Sequence, residues 1–212
     1  MRFLKQRYQH SIVLIAGFAG LCATPAYATE GLSAPIHLVW SPSGKHATFT
    51  TEQDGDGDTS CPTAMHELNL DAMSIQILLK ARTGARPEED LSCLNNVKYS
   101  ADGAFVYFTT PAWFTSGALH ALDRRTGAVS FIIDGGPYIV IGTGPLEGML
   151  IVVRRKYPEG MDEGAYEELD LVDPKTGTAN PLAKKLPNLL VEATSLTSVQ
   201  MRLKEQKGWV SW

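Results

Sequence analysis

The 212-residue sequence is poor in everything that marks a helical, membrane-spanning or motif-bearing catalytic protein. Its longest apolar run, from Ile12 through Leu21, is about half the roughly 20 residues a helix needs to cross a bilayer. Helical periodicity is weak throughout, and only the stretch around Val199–Gln206 has spacing that allows a short helix. No G-x-S-x-G elbow, H-E-x-x-H, Cys-x-x-Cys or phosphate-cradling glycine loop is present, so none of those chemistries is written in a motif. His37, His46, His66 and His120 are scattered, and the pair Glu167-Glu168 falls at a strand start where it is expected to face solvent. Positive charge is also scarce. Lys and Arg number 19 against 23 Asp and Glu, a formal net charge of −4, which argues against nucleic acid or an acidic lipid surface as partner. The expectation is a protein that is not an enzyme.

The first residues read as an address. Arg2, Lys5 and Arg7 precede the short apolar run, and Ala26-Tyr27-Ala28 follows it, which is the order of a cleavable secretory signal peptide over residues 1–28. A lipid anchor on Cys22 fits less well, because Leu21 before it is not small. Cleavage of 28 residues from 212 leaves 184, expected to form a single domain over 29–212 in the periplasm, with no membrane span remaining. The three basic residues lost leave 16 against 23 acidic ones, a net charge of −7 that favours a basic protein partner. Of three cysteines only Cys61 and Cys93 remain, and two thiols in an oxidising compartment are expected to form one disulfide.

Internal repetition is the strongest structural signal. The segment His37–Thr51 aligns with Asn96–Thr110 at a constant offset of 59, matching an aromatic, a Ser, a Gly and the run Phe-Thr-Thr. Each copy reads as strand, tight turn at the glycine, strand. Further turns at Leu70-Asp71-Ala72-Met73, Leu122–Gly127 and Val172–Gly177 each separate two alternating segments. Three four-stranded units follow, near 36–81, 94–135 and 138–183, the third turning first at Pro145-Leu146-Glu147-Gly148, with a partial unit over 188–212.

The run Trp40-Ser41-Pro42-Ser43-Gly44-Lys45, the run Tyr99-Ser100-Ala101-Asp102-Gly103 and the D-x-x-T-G turns resemble the repeats of TolB-type, WD40-like β-propellers, which also occur beside prolyl-oligopeptidase relatives. The resemblance implies an all-β fold of three to four antiparallel blades, in a small or incomplete β-propeller. It identifies a blade and no chemistry.

In such blades the connections between second and third strands share one end, and here they are long: Asp54–Pro62, Pro111–Gly117 and Tyr157–Gly164. Trp113, Phe114, Thr115, Ser116, Tyr157 and Asp162 on them combine aromatics, hydroxyls and a carboxylate, a mixture suited to protein contact. Trp113 and Phe114 could equally fold back onto the core. Asp54, Asp56 and Asp58 have the spacing of the first calcium ligands of a D-x-D-x-D-G loop, but Thr59 replaces the glycine and Met65 stands where a bidentate Glu belongs.

By size, compartment and fold the chain is similar to periplasmic immunity proteins, which neutralise secreted enzymes that degrade the cell wall. That similarity implies an inhibitor whose Trp113–Gly117 loop enters the cleft of a basic peptidoglycan amidase with a Cys-His site. The alternative is a ligand- or calcium-binding envelope module, or an accessory subunit of the TolB-like kind. The disulfide is testable first. Replacing Cys61 and Cys93 together by Ser removes a loop constraint of about 33 residues, and urea denaturation should register a loss of roughly 3–4 kcal/mol.

Overall fold

The structure is a computed structural model that describes residues 35–52, 61–113, 116–157 and 165–183, with the backbone of 184–186 and of three further strands. The expected signal segment 1–28 lies outside the described residues. The first sheet is β1 (Ile36–Trp40), β2 (His46–Glu52), β3 (Pro62–Asn69) and β4 (Ser74–Lys80). The second is β5 (Asn95–Tyr99), β6 (Phe105–Trp113), β7 (Ser116–Asp123) and β8 (Val129–Asp134). The third is β9 (Tyr138–Val140), β10 (Leu150–Lys156), β11 (Tyr166–Val172) and β12 (Ala179–Leu186). Each of these is an antiparallel meander in chain order, as expected of propeller blades. β13 (Leu189–Ser195), β14 (Ser198–Leu203) and β15 (Trp209–Ser211) make a fourth, three-stranded sheet. The helix allowed around Val199–Gln206 is therefore absent from 198–203, where pairing with β13 and β15 holds the backbone extended.

Alternation along the middle strands explains the packing. In β6, Val106 and Phe108 point one way and join Met65, Leu79, Leu91, Leu94, Val97, Tyr99 and Leu122 in a core between the first two blades. Tyr107 points the other way, into a second core with Leu119, Ile132 and Ile133 of its own blade and Tyr138, Leu150, Val152 and Val172 of the third. A strand buried on both faces must read as a continuous apolar run, and Phe105–Phe108 does.

The offset of 59 extends to backbone detail. The register slips between Ile36 and Val39 and again between Asn95 and Lys98, with His37 at φ 52° and Asn96 at φ 53°. Gly44 and Gly103 close the two turns at φ 69° and 71°, a left-handed conformation that disfavours a side chain. The Ser41 and Ser100 hydroxyls accept from the backbone N–H of His46 (3.1 Å) and Phe105 (2.9 Å). The second turn of the first blade departs from the alignment. Asn69, two residues before Asp71, accepts the turn hydrogen bond, as Asp123 and Asp173 do in the other blades, while Asp71 pairs with exposed Lys45.

A polar pair repeats within the blades. The Thr51 hydroxyl lies 3.0 Å from His66 Nε2 and that of Thr110 lies 3.1 Å from His120 Nε2, with Phe49 and Phe108 stacked on the two imidazoles. Register places Arg154 and Asp170 at the same two positions of the third blade, where they form an ion pair of 3.0 Å. The Thr110 hydroxyl donates to the Asp90 carbonyl, so it accepts from His120, which is neutral with its proton on Nε2. Burial pushes His120 down to about 4, partly opposed by Asp90.

The first blade junction is filled by charge. Glu67 accepts from Arg124 Nε at 2.6 Å and from Gln76 at 3.2 Å, and Arg124 Nη1 donates to the Gly103 carbonyl at 2.6 Å. The same guanidinium lies 5.3 Å from the centre of the Tyr99 ring, whose hydroxyl accepts from Thr48 at 2.6 Å.

Two stability measurements follow. The unfolded chain binds a proton at His120 below about pH 6.5, while the folded chain resists doing so until about 4. Stability contributed by neutral His120 is thus full above pH 6.5 and falls as pH drops towards 4, by up to about 3 kcal/mol. Urea titrations at pH 7 and 4.5 should show a smaller decline in His120→Gln than in the wild type. Arg124→Ala should cost about 3–5 kcal/mol by leaving the buried Glu67 carboxylate without its guanidinium partner, and adding Glu67→Met should recover much of that.

Candidate functional site

Antiparallel order puts the β2–β3, β6–β7 and β10–β11 connections at one end of their blades. The second is the shortest. Pro111–Gly117 is not a long loop: Pro111–Trp113 continue β6, Ser116 and Gly117 open β7, and only two residues join them. The cause is a bulge between Pro111 and Trp113, which accommodates the missing proline N–H and lets pairing resume at Trp113↔Ser116.

Trp113 neither folds into the core nor stands alone. It is 41% exposed, with its ring 6.5 Å from Phe131 at 64°, and Phe131, itself 40% exposed, stands edge-on to His120 at 5.9 Å. Phe131 was not foreseen. Its place follows from the register His120↔Phe131 between β7 and β8, shifted by an irregularity that the sequence does not announce. Phe131 and His120 line a cleft of about 370 Å³ whose walls include Arg82, Glu88 and Glu89 from the connection between the first two blades. Arg86 on that connection bonds Glu89, which holds the Glu89 carboxyl below the usual range.

The other expected contact residues divide. Ser116 lies opposite Trp113 and its hydroxyl donates to the Gly117 carbonyl at 3.3 Å. Tyr157, at the end of β10, is 61% exposed. Phe114, Thr115 and Asp162 lie outside the described residues, as do Asp54, Asp56 and Asp58 of the calcium pattern. Among the described residues no three His, Cys, Asp or Glu side chains are grouped to hold a metal. Cys61 and Cys93 form the expected disulfide, with Cα atoms 4.8 Å apart. Glu168 corrects an expectation: it is buried within β11, in register with Arg154, rather than facing solvent.

His66 and His120 are each bonded to a threonine inside a blade. His66 and His120 occupy equivalent sites in two blades rather than meeting at one, and burial lowers the pKa of both.

Three four-stranded antiparallel sheets packed face to face define a β-propeller type of fold. The structure superposes on the β-propeller domain of the Trilobed protease from Pyrococcus furiosus, with a TM-score of 0.56 and 11% identity over 84% of this chain and 51% of that one. Acylaminoacyl peptidase from Pyrococcus horikoshii gives 0.52 and 12%, over 80% of this chain and 27% of that one. TolB from Acinetobacter baumannii gives 0.49 and 17%, over 82% and 41%. The chain thus spans about half or less of the length of these proteins. No family model and no curated protein matches the sequence.

Proposed function

We propose that this chain is an exported, non-catalytic protein-binding module of the bacterial cell envelope, and that the β6–β7 hairpin is its contact. The observation that carries the reading is the aromatic pair Trp113–Phe131. Large half-exposed rings on paired strands bind at small entropic cost, because the backbone that carries them is already fixed. Ser116 beside Trp113 supplies a hydroxyl. In its finer form the module is an immunity protein. Its hairpin enters the cleft of a secreted peptidoglycan amidase, a hydroxyl of Thr115 or Ser116 bonds the histidine of a Cys-His site, and the rings exclude substrate. The signal-like first 28 residues, the acidic charge and the Cys61–Cys93 bond accord with a periplasmic address.

The test begins with the gene neighbourhood: a secreted hydrolase encoded beside this gene is expected, and its affinity for this chain is then measured. Trp113→Ala should weaken binding by about 30-fold or more, the scale of a buried aromatic anchor at an interface. Ser116→Ala should restore part of the hydrolase activity while leaving the thermal midpoint in place. Unchanged affinity and inhibition in the variant carrying both Trp113→Ala and Ser116→Ala would remove the hairpin from the interface.

A further inference from the structure

The junction between the first two blades and that between the second and third are built from equivalent positions, yet one is filled and the other open. Register equates Thr48, Glu67 and Gln76 with Tyr107, Ala121 and Ser130. The bonds from Ser41 N–H to the His46 carbonyl, Ser100 N–H to Phe105 and Ile141 N–H to Met149 equate the three first turns, and so Tyr99 with Val140. The bonds from Gly127 N–H to Asp123 and from Gly177 N–H to Asp173 equate Arg124 with Pro174. In the first junction Glu67 and Arg124 occupy the space. In the second, Ala121 and Pro174 stand in their places, and a cleft of about 580 Å³ opens over them.

That cleft has a largely apolar wall with polar groups around its rim. Tyr107 is 4% exposed and lines it, and no hydrogen bond reaches its hydroxyl among the described residues. The ring is held in the core while the hydroxyl opens onto the cleft, where it is free to bond whatever fills that space. Asp102, Glu147 and Asp173 stand on the turns that frame the opening, against the single cation Lys175. Asp102 spends one oxygen on the Ser100 hydroxyl and the Ala104 N–H. Phe105, Met149, Pro174 and Ala121 supply apolar wall.

We propose that this cleft binds a guanidinium on a flexible apolar stem, an arginine either free or presented by a polypeptide, in the volume that Arg124 fills at the sister junction. The cation meets the frame carboxylates, the stem lies along Phe105 and Met149, and an N–H donates to the Tyr107 oxygen. The site lies at the turn end of the second blade, opposite the Trp113 hairpin. It stands apart from the reading of that hairpin.

The probe is N-acetyl-arginine amide, titrated into the isotope-labelled chain and followed by NMR, with the citrulline analogue as an uncharged isostere. Saturable shifts at Tyr107, Asp102 and Lys175 are expected with the arginine compound, and about tenfold weaker binding with citrulline, with Tyr107→Phe and with Asp102→Asn. Rebuilding the sister junction through Ala121→Glu with Pro174→Arg should abolish binding in a chain that still melts cooperatively. Equal affinity for free arginine and for an arginine-containing peptide would identify a small-molecule site. Stronger binding of the peptide would identify a polypeptide. Equal binding of citrulline, no saturation, or retention of affinity in both Tyr107→Phe and Asp102→Asn would overturn the proposal.

Discussion

Val106 and Phe108 point towards one neighbouring sheet and Tyr107 towards the other, so β6 can exist as a dry strand only between two blades. That two-sided cover is the constraint on which the rest depends. It makes each blade's stability a property of its junctions, as in other stacked-repeat folds. Val97 and Tyr99 are nearly fully buried against the first blade, whereas their counterparts Leu38 and Trp40 are more than half exposed. The same sequence position is core in one blade and surface in another.

Much of this architecture was legible because the chain repeats itself. Phe-Thr-Thr recurs at one offset, and beneath it recur the irregular first-strand register, the left-handed glycine and the threonine–histidine pair. Legibility failed where the repeat drifts. Asn69 rather than Asp71 holds the first blade's outer turn, a slip that residue type alone hides because both side chains can cap. Arg154 and Asp170 replace a threonine and a histidine with an ion pair of like geometry and unlike chemistry, which no alignment of identities would equate. Val199–Gln206 could satisfy a helical spacing locally, but pairing with its neighbours decided the backbone.

The candidate site was legible in part. Trp113 and Ser116 stood out as an aromatic and a hydroxyl in a stretch that looked like loop, and the structure places both on paired strands facing one another. Phe131 gave no signal of its own, since a phenylalanine in an alternating strand reads as core. It becomes half of a surface pair only through the irregular β7–β8 register and the length of β6. The two junctions show the same dependence on context: glutamate and arginine close one, alanine and proline leave the other open, and neither pair declares its role until the blades are superposed.

The Cys61–Cys93 bond has a consequence for a chain exposed to proteases. It joins the entry to β3 with the entry to β5, so β3, β4 and the connection after them lie inside one covalent loop. A single cut anywhere in that loop yields two polypeptides that stay attached. The first and second blades then keep their shared core within one molecule, and a nick that would divide a reduced chain becomes a local opening in an oxidised one.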